Sequence, residues 1–329
     1  MSDLPAPRIL PGFSDVEAAA QRIAAHCIET PLLESPALNR ELGGRLLIKA
    51  ENLQITGSFK LRGAVNRLAV LSREERARGV VARSSGNHGL AVAYCAPAMQ
   101  TSAVVVTPDT APKAKIERIK AYGARVVQAP MHEIARVAAE VAEADNRVFV
   151  PPADDFWVVA GAGTVGLEIA AQAGKCDAAL DALLICCSGG GLTSGCMLAL
   201  GALSPNTAIY AVEPAGFEKM AKSLAAGRRI NNPPGGHTIC DAISGPYTAE
   251  IPFEIVKPRI AGALAVSDEE AKQAMRVAFS EFGLAIEPGG AVALAAVLTG
   301  RYPIKDKTVA VIITGRNVDL DLAADVLGQ

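Results

Sequence analysis

The sequence predicts an α/β protein built as two open, three-layer domains with mainly parallel sheets. Three observations lead there. From Gly79 onward, short β-branched runs alternate with helical segments, the pattern of parallel strands joined by right-handed crossovers. Glycine-bearing turns follow directly after apolar runs at 83–89 and 188–195. Apolar residues make up 50% of the chain and aromatic ones only 4%, which suits helices packed closely on parallel strands better than an all-β core. A length of 329 residues accommodates one large or two modest domains.

The elements follow in order. Ser14 with Glu17 reads as a capping box that opens a helix to about Cys27, ended by Thr30-Pro31. The stretch 46–50 reads as a strand. The region after Gly57 has helical periodicity, with Ser58 as its N-cap. GVVARS, SAVVVT, ARVVQA and RVFVP read as strands, with helices at about 87–98, 112–122 and 131–144 between them. A second series comprises a helix near 163–174, the strand DALLICC, a glycine cluster opening a helix, the strand AIYAVEP and a helix over 217–226. Segment 227–262 is rich in Gly, Pro and Asn and reads as irregular. Helices are expected over 267–282 and 288–299, and KTVAVIITG is the last strand.

Composition narrows the function. A net charge of −2 predicts no electrostatic grip on nucleic acid or anionic lipid. The N-terminal segment has neither a signal-peptide core nor an Arg-rich amphipathic pattern, and no apolar run is read as reaching the ~20 residues that span a bilayer. The seven cysteines are odd in number, lack paired metal-ligand spacing and lie mostly in apolar stretches, so they read as reduced and buried. Cytoplasm is the expected address.

Four segments could carry chemistry. Ser188, Gly189, Gly190, Gly191 and Leu192 turn a strand into a helix, and unhindered backbone N–H groups at a helix N-terminus suit a phosphate. The pattern is neither a dinucleotide fingerprint nor a Walker loop; a tight packing turn would look similar. Lys60 stands at a helix start after Phe59 and beside small residues, where partial desolvation would lower its pKa as an imine-forming lysine requires. Ser84, Ser85, Gly86, Asn87 and His88 follow a strand and open a helix, an arrangement suited to a carboxylate. His88 reads equally well as a core histidine. Thr314 ends the last strand, where ligands of parallel sheets gather.

Together these segments resemble the fold type II (β-family) pyridoxal-phosphate enzymes, in the branch of serine/threonine dehydratases and serine racemases. ENLQITGSFKLRGA, SSGNHG, SGGGLTSG, AVEP, EPGGAVALAA and TGRNVD stand in the family's order and approximate spacing, and the resemblance covers about residues 15–322. It implies a tryptophan synthase β-like fold, with 1–78 and 156–329 as a large cofactor-binding domain and 79–155 as a small, mobile, substrate-side one. It further implies pyridoxal 5'-phosphate as cofactor, a small amino-acid substrate and a homodimer. Lys60 would form the internal aldimine and later act as general base. Phe59 would pack beside the ring, Asn87 bond its 3'-oxygen, 188–192 cradle the phosphate, Thr314 face the pyridine nitrogen and Glu287 lie close to the ring. Residues 84–88 would hold the substrate carboxylate. The implied reaction removes water from L-serine or L-threonine to give a 2-oxo acid and ammonia. Ser85 also offers the second base that racemisation needs, so a serine racemase, or a dehydratase of hydroxyaspartate or phenylserine, is the alternative. A non-catalytic cofactor-binding relative is the remote one.

The chain departs from the family pattern in several places. Ser188 replaces a glycine. Arg316 stands where a glycine is usual, with cofactor and solvent both open as its direction. Ala162 replaces a glutamine, and Phe156-Trp157 replaces a polar residue and proline, which points to an altered pocket lining. Many relatives hold a divalent cation with a glutamate, a carbonyl and an aspartate. Glu213 and Phe217 match the first two, but Lys219 stands at the third and opposes a cation.

Overall fold

The computed structural model describes residues 10–84, 86–111, 113–233 and 235–328. Ten strands run in chain order among them: β1 (Leu32–Glu34), β2 (Arg45–Ala50), β3 (Val80–Arg83), β4 (Ala103–Pro108), β5 (Arg125–Ala129), β6 (Val148–Phe149), β7 (Ala182–Cys186), β8 (Ala208–Pro214), β9 (Gly262–Val266) and β10 (Thr308–Ile313). They form a six-stranded sheet of order β1-β2-β10-β7-β8-β9 and a four-stranded sheet of order β5-β4-β3-β6. Of these strands only β1 pairs antiparallel. Strand β10 lies between β2 and β7, in register from Val309 to Ala182 and to Leu46. Strands β4 and β7 are buried along their whole length, as continuous apolar strands covered on both faces must be.

Apolar cores lie on both faces of the large sheet. One gathers Ile48, Leu184, Val311 and the Pro288–Leu298 helix; the other gathers Leu183, Ile185, Ile312 and the Gly191–Leu203 and Phe156–Lys175 helices. The Phe156–Lys175 helix starts earlier than expected, because the Asp155 carboxylate accepts the N–H groups of Trp157 and Val158 at 2.8 and 2.9 Å. By length and composition this 20-residue helix could cross a bilayer, contrary to the sequence reading, but 61% of its apolar window is buried inside the protein. It is a core helix, and its Glu168 belongs to an internal ion cluster. Arg62 pairs with Glu51 at 2.7 Å and with Glu168 at 2.5 Å, and Lys49 meets Glu168 at 2.6 Å. Two cations and two anions balance there, so no charge is buried uncompensated. The cluster ties the Lys60–Ala69 helix to the Phe156–Lys175 helix.

Several local expectations are corrected. The first helix is Phe13–Ile23; Gly12 caps it, and its N–H donates to Asp15 at 2.8 Å, so Ser14 lies inside it. Ser58 does not cap the Lys60–Ala69 helix. It bridges to Gly315 instead, and its hydroxyl has no partner among the described residues. The 227–262 region contains the Asp241–Ile243 turn and the Glu250–Val256 helix, and β9 follows at its end. Trp157 and Phe156 pack edge to face, with Arg22 stacked on Trp157.

Candidate active site

The carboxyl ends of β2, β7 and β10 point to one place, and three of the segments singled out above leave from them. After β2 the chain turns through Glu51–Leu53 and reaches Lys60. The Ser58–Gly315 bridge and the Phe59 N–H, which donates to the Thr314 carbonyl at 3.2 Å, fix this segment against the end of β10. Lys60, Phe59, Gly63, Pro152, Val158, Ala162 and Gly191 line one pocket, so the lysine and the glycine turn share a cavity. Neither Phe156 nor Trp157 is among its walls; Ala162 is. The Lys60 ammonium donates to the Pro152 carbonyl at 2.8 Å and lies 5.0 Å from the centre of the Phe59 ring. Burial pulls its pKa down to about 8, against smaller upward pulls from Cys186 and Glu287. A sizeable neutral fraction near neutral pH is what a nucleophilic amine needs.

The glycine turn leads into the Gly191–Leu203 helix. Gly190 is its N-cap at φ 91°, a conformation that favours glycine, and a Cβ there would lie 3.0 Å from Pro252. Among the described residues no side chain caps this end, and no acid stands in its first turn. The free N–H groups and the helix dipole therefore face the pocket unopposed, which fits a phosphate. Ser188 is half-buried at the mouth of this turn.

Thr314 is 3% exposed, and its hydroxyl lies 3.2 Å from the Cys186 thiol on the neighbouring strand. Burial raises that thiol to about 11, so it is neutral. Glu287 is buried, and its carboxyl is pushed up to about 7 by burial and by the nearby Asp241 carboxylate. Its Oε1 accepts the Asn87 amide N–H at 2.6 Å. A Cβ on Gly315 would lie 2.2 Å from that oxygen, so any side chain there would displace the Glu287 carboxyl from its bond to Asn87. The Asn87 carbonyl oxygen accepts the Asn317 amide at 2.5 Å, and Asn317 also donates to the Thr56 carbonyl and accepts from Arg118. Asn317 thus gathers the Lys60 loop, the Asn87 turn and the Lys113–Ala121 helix. Within TGRNVD nothing local marks Asn317; its role emerges from these tertiary contacts.

On the opposite side, Ser84 accepts the Gly86 N–H at 3.0 Å, and Gly86 is the N-cap of the Asn87–Ala98 helix. Ser85 lies outside the described residues. His88 is 3% exposed, and its Nε2–H donates to the Val150 carbonyl at 2.9 Å. Burial holds it neutral, at about 3. Its imidazole is a core group, which leaves the backbone N–H as what His88 can offer a ligand. Arg316 donates to the Asn52 carbonyl.

At the cation position that the resemblance implies, a lysine stands among the candidate ligands. The Phe217 carbonyl accepts the Lys219 N–H at 2.8 Å, and Lys219 turns its ammonium to within 3.8 Å of Glu213. No group of three His, Cys, Asp or Glu residues among the described residues could hold a metal ion.

A buried amine of lowered pKa, an uncapped helix terminus and a hydroxyl closing the last strand fit the aldehyde, phosphate and ring nitrogen of a pyridoxal phosphate. Comparison with known proteins agrees. Residues 23–315 match the family model described as pyridoxal-phosphate dependent enzyme, and the chain belongs to that family. It is 34% identical to the serine racemase of Schizosaccharomyces pombe, over 98% of each chain. It is 34% identical to the L-threo-3-hydroxyaspartate ammonia-lyase of Saccharomyces cerevisiae, over 97% of each. The crystal structure of the T.th. threonine deaminase superposes with a TM-score of 0.90 at 39% identity, covering 94% of this chain and 99% of that one.

Proposed function

We propose that this enzyme is a lyase that eliminates water from a small 3-hydroxy amino acid, L-serine or L-threonine, releasing a 2-oxo acid and ammonia. When bound, the cofactor supplies the electron sink that labilises the Cα–H bond. The chain's own residues do the rest. Lys60 holds the cofactor and then takes the Cα proton at Nζ; its pKa near 8 supports that role. Residues 188–192 bind the phosphate through backbone N–H groups. The Thr314 hydroxyl serves the ring nitrogen, and Asn87, braced by Glu287, serves the ring oxygen. Residues 84–88 hold the substrate carboxylate.

The observation that carries the reaction type is the pairing of Thr314 with Cys186. Both are neutral, so this position offers the ring nitrogen a hydroxyl rather than a carboxylate. A weaker electron sink favours prompt loss of a β-leaving group over a long-lived carbanion. Racemisation is the second reading, favoured by the serine at position 85 and by the likeness to serine racemases. We further propose that 79–155 closes over the substrate as a unit, and that the chain works as a homodimer in the cytoplasm. Exposed Ile28, Leu53 and Ile55, joined by a pair of hydrogen bonds exchanged between Gln54 and the Ile28 backbone, support a self-contact. Seven free thiols support a reducing compartment.

The test is a steady-state screen of L- and D-serine, L- and D-threonine, hydroxyaspartate and phenylserine, measuring 2-oxo acid and the enantiomer of the remaining amino acid. Rapid 2-oxo acid formation from L-serine or L-threonine is expected. D-serine as the main product from L-serine would replace the lyase reading with the racemase one.

A further inference from the structure

Behind the glycine turn lies a second buried pair that the chemistry above does not use. Glu213, near the end of β8, and Lys219, the first residue of the Lys219–Ala226 helix, both have side chains 0% exposed. The Lys219 ammonium lies 3.8 Å from Glu213 and donates to the Ile243 carbonyl at 3.0 Å. The Glu213 oxygens accept the Met220 and Ala221 N–H groups at 2.9 and 3.0 Å. One positive charge therefore joins three segments: the end of β8, the first turn of that helix and the Asp241–Ile243 turn.

Two of these segments support the cofactor cradle. The Met220 methyl lies 3.1 Å from where a Cβ on Gly190 would stand. Ile243 lies 3.3 Å from the corresponding position on Gly289, two residues after Glu287. The divalent cation implied by the family resemblance does not fit here. Lys219 occupies the third ligand position with a cation of its own, 3.8 Å from Glu213, and supplies no oxygen where a metal would need one.

We propose that Lys219 is a built-in replacement for that cation. Its ammonium holds the three segments together, so the holoenzyme neither needs nor binds a divalent ion at this place. Loss of the charge removes a partner from a buried carboxylate, which is strongly destabilising, whereas an aspartate in its stead would rebuild an oxygen ligand set for a metal. The proposal is independent of the substrate.

The experiment follows melting temperature and cofactor dissociation rate of the holoenzyme in EDTA, then in excess magnesium, calcium or manganese. Wild type should be unchanged throughout, and calorimetric titration should show no saturable cation binding. Lys219→Met should melt roughly 5 °C lower and ignore all three cations. Lys219→Asp should melt similarly low in EDTA and recover in a saturable way with at least one cation. Wild-type loss of stability or cofactor in EDTA, reversed by a cation, would overturn the proposal. So would a folded Lys219→Asp variant that ignores cations as Lys219→Met does. If Lys219→Asp does not fold, the wild-type titration decides alone.

Discussion

The six-stranded sheet is walled on both faces by large apolar cores, whereas the four-stranded sheet has one thick wall and one thin one. Its thick side gathers Val80, Ala82, Val105 and the Asn87–Ala98 helix; its thin side has, among the described residues, only Val81, Val104, Val106 and Ala138 fully buried. The functional residues divide along the same line. The glycine turn, Thr314 and Glu287 stand on the thick-walled sheet, and Ser84 and Asn87 on the other. Lys60 stands at the joint: the apolar face of its helix belongs to the core of the small sheet, while Arg62 clamps the helix to Glu168. Several polar contacts cross the cleft. They include Asn87 with Glu287 and Asn317, Arg118 with Asn317, Lys115 with Asp241 and Arg83 with Tyr247. Groups that must stay fixed relative to one another sit on the rigid wall, and the turn proposed to grip substrate is joined to it by a seam of exchangeable hydrogen bonds.

The contrast can be broken first at the walls. Ile185→Ala removes a fully buried side chain from the large sheet and should cost about 2–5 kcal/mol. Val141→Ala, on the thin wall of the small sheet, should cost about 1 kcal/mol or less. Urea unfolding of both variants checks the difference, and equal losses would remove it. A smaller effect concerns pH. The Glu287 carboxyl, at about 7 in the folded chain against 4.5 unfolded, keeps a proton that the unfolded chain gives up. It therefore destabilises the fold increasingly as pH rises from 4.5 to 7, and by a constant amount above that. Glu287→Gln should gain melting temperature over wild type as pH goes from about 5 to about 7.5. A gain that does not vary with pH would contradict the raised value. The smallest effect lies in the seam. Arg118→Met should leave the melting temperature within about 1 °C and raise KM several-fold with little change in kcat; an unchanged KM would remove Arg118 from the seam.

Much of this was legible in the sequence, for a physical reason. Parallel strands buried on both faces leave unbroken apolar runs, and helix termini that bind anions leave glycines, so β3, β4, β7, β8, β10 and the two turns announced themselves. Segment 227–262 hid its order because Gly, Pro and Asn dominate it, although the Glu250–Val256 helix is held by tertiary packing of Phe253 and Val256. Ser58 carried a capping residue's chemistry, but its bridge to Gly315 overrode it. Asn317, Cys186 and Pro152 acquire their roles only where distant segments meet, and no local pattern marks such a meeting.

Every role proposed for the site depends on Lys60, at the joint of the two sheets, being the residue that holds the cofactor. Borohydride reduction of the holoenzyme followed by peptide mapping tests that assignment. A single pyridoxyl-modified lysine at Lys60 is expected, together with a Lys60→Ala variant that has neither visible cofactor absorption nor turnover. Modification at another lysine, or absorption and dehydratase activity retained in Lys60→Ala, would contradict it.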